Sequence, residues 1–184
     1  VGLLGAAIGM SRYDTQQLSR LAALRMGVRV DREGRLFVDY HTVGGGKVPG
    51  IDRYRVPRAS GQRGEDPVVS RRWYLADADF LVGMEGDDED FLKWLDQKLA
   101  DPVWPLYLGR KSCPPSEPVR IGVQHGKLEE VLRRWPWRAR RKGEKPESPL
   151  RLVFETSQPS PEARLDQPTS FDPLNRRYRI RYVR

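Results

Sequence analysis

Cysteine is almost missing from this sequence: Cys113 stands alone among 184 residues, which excludes an internal disulfide and any metal site built from several thiolates. The redox compartment is left unconstrained by this, and a cytoplasmic location is the expectation. Histidine is nearly as scarce. His41 and His125 are the only side chains whose ordinary pKa suits proton transfer near neutrality, and neither stands in a recognisable triad. No run of about 18 apolar residues occurs, so no membrane-spanning helix is expected. The apolar start from Val1 to Met10 also lacks the basic flank and cleavage site of a signal peptide. The run Gly44 to Gly46 is not a nucleotide P-loop, because Lys47 is followed by Val48 instead of a hydroxyl residue. Acidic residues are short in one half: residues 1–102 carry 15 basic against 16 acidic side chains, and residues 103–184 carry 18 against 9.

That imbalance, part of a net charge of +8, makes a polyanion the leading partner. Lys and Arg that neutralise phosphates release counterions and gain affinity independently of sequence. A membrane surface is disfavoured, since the cations do not line an amphipathic helix with a broad apolar face.

The apolar run punctuated by Gly2, Gly5 and Gly9 reads as a core helix, and Asp14 followed by Gln17 reads as the capped start of a second one. Residues 28–30 and 36–40 alternate around Asp31 to Gly34, which is hairpin chemistry. Between Val43 and Ser70 the apolar period vanishes. The run Gly44 to Gly46, further glycines and prolines, and the cations Lys47, Arg53, Arg55, Arg58 and Arg63 predict a long projecting loop or ribbon there. A strand resumes at Arg72 with Tyr74, Ala76, Ala78, Phe80 and Val82 on one face. Asp87 to Asp90 reads as an acidic first helical turn and not as a metal cluster, because Phe91, Leu92, Leu95 and Leu99 follow at helical spacing. Strands at 104–108 and 119–123 and a helix from Leu128 to Trp135 come next. Residues 133–145 then hold seven cations against Glu144, either a polyanion contact or a mobile solvated insertion. A strand over 150–156, a Pro-rich connector from Pro159 to Pro168 and a final strand complete the chain. On that strand Tyr178, Ile180 and Tyr182 should face the core, and Arg177, Arg179 and Arg181 should form a positive face.

The stretch that concentrates chemistry is Tyr107-Leu-Gly-Arg-Lys-Ser-Cys-Pro-Pro-Ser116. Gly109 permits a turn that a Cβ resists, Arg110 and Lys111 follow at once, and the Ser112 hydroxyl adds a donor, so the pattern reads as a phosphate cradle. Tyr107 is the local candidate for stacking on a base. The competing reading is a solvated basic loop. Cys113 reads as a small thiol beside the prolines.

This run closely resembles the signature loop of the CasD family, the small RAMP subunit of the type I-E CRISPR surveillance complex Cascade. Gly2 to Gly9, Asp39-Tyr-His-Thr-Val43 and Arg72 to Phe80 agree in the same order. Family members begin with a strand and a loop before the glycine-rich helix, so the chain is expected to be a fragment lacking that front.

The order of elements is compatible with an α+β, ferredoxin-like domain. The resemblance implies the same RAMP (RRM-like) fold, with residues 1–124 as a domain lacking its first strand, 43–70 as its thumb hairpin, and 125–184 as a basic C-terminal extension packed on it. It also implies a noncatalytic subunit that grips the five-prime handle of CRISPR RNA, joins the backbone and large subunits of Cascade, and meets target DNA only indirectly. The thumb is expected to fold over the RNA and displace a base where handle meets guide. The RNA-contacting residues expected on these grounds are Tyr107, Gly109, Arg110, Lys111, Ser112, His41, Lys47, Arg53, Arg55, Arg177 and Arg179, with no cofactor and no metal. A metal-independent ribonuclease using His41 with Tyr40 and Lys47 is the alternative, since relatives in another CRISPR subtype cleave precursor RNA with such a set.

Overall fold

The computed structural model describes residues 1–45, 56–64, 66–146 and 149–184. Its elements run α1 (Gly2–Ile8), α2 (Thr15–Ala23), β1 (Arg25–Arg32), β2 (Arg35–Val43), β3 (Val56–Pro57), β4 (Arg63–Gly64), β5 (Val68–Ala76) and β6 (Asp79–Glu85). They continue with α3 (Glu89–Ala100), α4 (Leu128–Arg134), β7 (Arg151–Thr156), β8 (Glu162–Ser170) and β9 (Arg177–Val183). This is the α+β class expected, and it is compatible with a ferredoxin-like arrangement. Two compact units make it up, residues 1–31 with 80–184 and residues 32–79.

In the first unit the capping residues start the helices as their spacing predicts. Asp14 accepts the Gln17 amide at 2.9 Å and Asp88 accepts the Phe91 amide at 2.9 Å, so the acidic run at 87–90 serves a helix start. Gly9, at a φ of 68°, ends α1 in the left-handed region, and the amides of Gly9 and Met10 return to the carbonyls of Ala6 and Gly5. A five-stranded sheet in the order β6-β1-β7-β9-β8 forms the centre. Leu128 and Leu132 of α4 pack with Phe154, Leu81 and Leu152, while Leu21, Leu24, Phe91 and Leu95 gather with Leu4, Ile8 and Met84. Leu81 and Met84 point to opposite faces of β6, so the two clusters occupy the two faces of the sheet. Each fully buried Leu or Phe contributes about 1.5–3 kcal/mol.

One polar group sits inside this core. Arg29 of β1 is only 3% exposed, pairs with both carboxylate oxygens of Asp31 at 2.6 and 2.9 Å, and donates to the carbonyls of Leu132 and Trp135 at 2.7 and 2.6 Å. It thereby satisfies carbonyls that the end of α4 leaves without helical partners. The Trp137 indole reaches the Asp31 carbonyl at 3.3 Å, so the chain beyond α4 is pinned to β1 twice.

The second unit is a ribbon. β2 and β5 pair antiparallel without interruption from Arg35 opposite Ala76 to Val43 opposite Val68, and β3 pairs with β4. The resemblance placed the thumb at 43–70; the paired ribbon begins earlier, at Arg35.

Four local expectations are corrected. Residues 28–40 are not a hairpin: β1 pairs with β7 and neighbours β6, whereas β2 pairs with β5. The strand from Arg72 through Val82 is two strands, broken at Asp77, whose φ is 58°. Residues 104–108 and 119–123 form no strand; the amides of Val103 and Trp104 bind the carbonyls of Ala7 and Ala6 at the end of α1. The Pro-rich connector contains β8, which tolerates Pro168 because a register shift lies between Pro168 and Ser170. Residues 125–184 supply α4 and three of the five sheet strands.

Candidate nucleic-acid interface

Helix α1 holds the entrance to the basic loop. With Val103 and Trp104 docked on its last carbonyls, the chain runs without regular structure to Tyr107, where Leu108 N–H donates to the Cys113 carbonyl at 2.8 Å and Cys113 N–H to that of Arg110 at 2.9 Å. A tight turn therefore presents residues 109–112. Gly109 has a φ of 83° with open space where a Cβ would stand, so its requirement is conformational and not steric. Tyr107, Gly109, Arg110, Lys111 and Ser112 are all exposed, and Cys113 is half-buried. The side chains of the turn offer an anion guanidinium, ammonium and hydroxyl donors.

The carboxy-terminal arginines do not act as a set. Arg177 leans on Asn175 at 2.8 Å and Arg179 on Gln167 at 2.8 Å, and both are exposed. Arg181 is drawn inward: its side chain is 14% exposed and bonds Asp166 at 2.5 and 2.9 Å and Glu155 at 2.9 Å. The Arg181 hydrogen bond holds the Asp166 carboxyl below its ordinary range. The opposite face is not core as expected. Tyr178 is 42% and Ile180 53% exposed, with Leu165 exposed beside Ile180, and the buried residue is Val183 on the arginine side. The reason is coverage: Gln167, facing with Arg179, donates to the Ala22 carbonyl of α2, whereas α4 covers the other face only around Phe154.

In the ribbon unit, His41 is half-buried opposite Ser70, with Nδ1 3.4 Å from Asp39 Oδ2. Tyr40, its neighbour on β2, points to the opposite face. Lys47, Arg53 and Arg55 lie outside the described residues. The signature loop and exposed Arg177 and Arg179 thus belong to one unit, and His41 belongs to the other.

The basic segment 133–145 belongs to the first unit, and α4 and Arg29 fix its start. Sequence reading missed the apolar face of the ribbon, where Leu36, Val38, Tyr40, Val69, Trp73 and Leu75 share one side and are exposed. Period-two alternation on both flanks was the available signal. A groove of about 250 Å³ beside β6 and α3 is lined by apolar residues, with Glu85 and Asp96 as its titratable groups. Glu85 pairs with Arg25 at 3.0 Å and Asp96 with Arg120 at 2.7 Å, so both carboxylates are engaged structurally. Among the described residues no group of three or more His, Cys, Asp or Glu side chains is placed to hold a metal ion, and no helix is long and apolar enough to cross a membrane.

Comparison with known proteins gives concordant matches. The family described as CRISPR-associated protein (Cas_Cas5) matches residues 1–184. The CRISPR system Cascade subunit CasD of Escherichia coli (strain K12) is 32% identical over 134 residues, 67% of this chain and 56% of its own length. The match therefore spans little more than half of that curated relative. A chain of a CRISPR RNA-guided surveillance complex superposes with a TM-score of 0.74 at 34% identity, covering 100% of this chain and 74% of the other. A Cas protein solved by crystallography gives 0.72 at 36% identity, covering 100% and 75%.

Proposed function

Because the chain belongs to the Cas5 family of CRISPR-associated proteins, matching it over residues 1–184, we propose that it is a noncatalytic subunit of a type I-E Cascade complex that binds the five-prime handle of CRISPR RNA. It acts in the cytoplasm, bridges the backbone and large subunits, and serves antiviral defence as part of that assembly. The observation that carries the reading is the exposed turn at Gly109, Arg110, Lys111 and Ser112, closed by the backbone bonds from Leu108 N–H to the Cys113 carbonyl and from Cys113 N–H to the Arg110 carbonyl. Single-stranded RNA is gripped through phosphates and unstacked bases, and the turn offers a planar fork, a point charge and a hydroxyl beside the Tyr107 ring. Arg177 and Arg179 are further exposed cations of the same unit, and Lys47, Arg53 and Arg55, in the sequence between β2 and β3, are the remaining cations assigned to RNA contact.

Geometry supports binding over cleavage. The ribonuclease alternative needs Tyr40 and His41 to converge, yet adjacent residues of a strand project to opposite faces, and His41 Nδ1 lies 3.4 Å from the Asp39 carboxylate. Two measurements test the proposal. Purified protein incubated with repeat RNA in EDTA is expected to leave the RNA intact, and defined cleavage abolished by His41→Ala would establish the enzyme instead. Co-expression with the other Cascade subunits is expected to yield one complex containing this chain; its consistent absence would refute the scaffold role.

A further inference from the structure

The segment from Arg133 to Lys145 carries seven cations against one acid and takes no part in the handle site proposed above. The structure separates the two readings its composition allows. It is not a loosely held insertion. Its start is anchored by buried Arg29, which donates to the Leu132 and Trp135 carbonyls, and by the Trp137 indole on the Asp31 carbonyl. Its tip is closed by Glu144, whose carboxylate accepts the amides of Arg140 and Arg141 at 2.6 and 3.1 Å, while its own amide returns to the Arg141 carbonyl at 3.2 Å. The one acid in the run is therefore occupied in folding the turn, and Arg141, Lys142 and Lys145 are exposed on it. Arg138 pairs with Glu117 at 2.9 Å, which sets this platform against the chain just beyond the signature loop.

We propose that this pinned platform is a second nucleic-acid surface, one that binds the phosphate backbone of a DNA duplex directly. The side chains present choose between duplex and single strand. A single strand is held by aromatic rings that stack on its bases as well as by cations. Here both aromatics, Trp135 and Trp137, are half-buried, and Trp137 is committed to Asp31, so the segment offers charge without a stacking surface. A surface of that kind reads phosphates alone, and a duplex, with its bases hidden and two phosphates per base-pair step, is the ligand it fits. The contact is independent of sequence and strongly dependent on salt.

Fluorescence anisotropy of the full chain on labelled duplex DNA across a salt series tests this, with R141Q/K142Q/K145Q as the variant and R141K/K142R/K145R as its charge-preserving control. The triple Gln variant should reduce the magnitude of the salt slope by up to about 2.7, from about 0.9 per neutralised phosphate on B-form DNA, and weaken binding at least about tenfold. The control should retain the parent slope, and handle RNA should be held almost as tightly by the Gln variant as by the parent. R110A/K111A should show the converse pattern, so failure here and failure of the handle reading are distinguishable. Duplex binding unchanged in the Gln variant overturns the proposal. So does an equal loss on handle RNA, which makes the segment part of the handle site, or tighter capture by anionic phospholipid vesicles than by duplex, which assigns it to a membrane surface.

Discussion

Replacing Arg29 with Met should be among the most damaging single changes available in this protein. The guanidinium is 3% exposed, its partner Asp31 has a side chain 9% exposed, and the same group serves the carbonyls of Leu132 and Trp135. Met fills comparable volume, so the cost comes from polarity. A buried carboxylate is left without its counter-charge, and the end of α4 loses its donors. Breaking one side of a buried ion pair costs about 3–5 kcal/mol, a large part of the roughly 5–15 kcal/mol that holds a domain together. Urea unfolding followed by tryptophan fluorescence reads this directly, because Trp137 is bonded to the Asp31 carbonyl. The double change R29M/D31L should recover about 2 kcal/mol by removing the stranded charge, and the remainder reflects the orphaned carbonyls. Trypsin should also cut between Arg138 and Lys145 faster in the single variant. A loss below about 1 kcal/mol for Arg29→Met would refute the argument, since a hydrogen bond in an ordinary site is worth that much.

Further expectations are more local. Arg181→Gln should cost about 1.5–3 kcal/mol through its charged hydrogen bonds, whereas R177Q/R179Q should shift stability by no more than about 0.5 kcal/mol per site; paired thermal melts decide whether the arginines divide in this way. Gly109→Ala, with φ at 83°, should cost about 1–2 kcal/mol of turn stability or force the loop to rearrange, and handle-RNA affinity should fall with it. Acid should destabilise the fold. The Arg181 hydrogen bond lowers the Asp166 pKa, and the Arg25 hydrogen bond, followed by that of Arg184, lowers the Glu129 pKa. Carboxylates depressed in the folded state contribute stability that is full above their unfolded pKa and is lost as pH falls through the folded one. The melting temperature should thus hold near neutrality and drop below the ordinary carboxylate range, with a smaller acid drop in D166N.

What could be read in the sequence was what local physics decides. Asp14 and Asp88 sit one turn ahead of an apolar stripe, so the starts of α2 and α3 were visible, and β7 falls within the strand expected over 150–156. Long-range pairing was not visible. The turn after Asp31 looks like a hairpin from inside, but nothing local says that β1 prefers β7 while β2 prefers β5. Arg177, Arg179 and Arg181 have identical spacing, yet only Arg181 has Asp166 and Glu155 across the neighbouring strands, and partners far along the chain decide which cation turns inward. The signature loop was legible in its glycine and its cations. Its support was not, because the carbonyls at the end of α1 lie about a hundred residues upstream.

The most direct test of the central claim is a salt titration of five-prime handle RNA binding for R110A/K111A against the parent chain. A turn that grips phosphates predicts weaker binding and a salt slope smaller in magnitude by up to about 1.4, from about 0.7 for each phosphate that is no longer neutralised on a single strand. Equal affinity and an equal slope in the two proteins would show the turn to be a solvated loop and contradict the account.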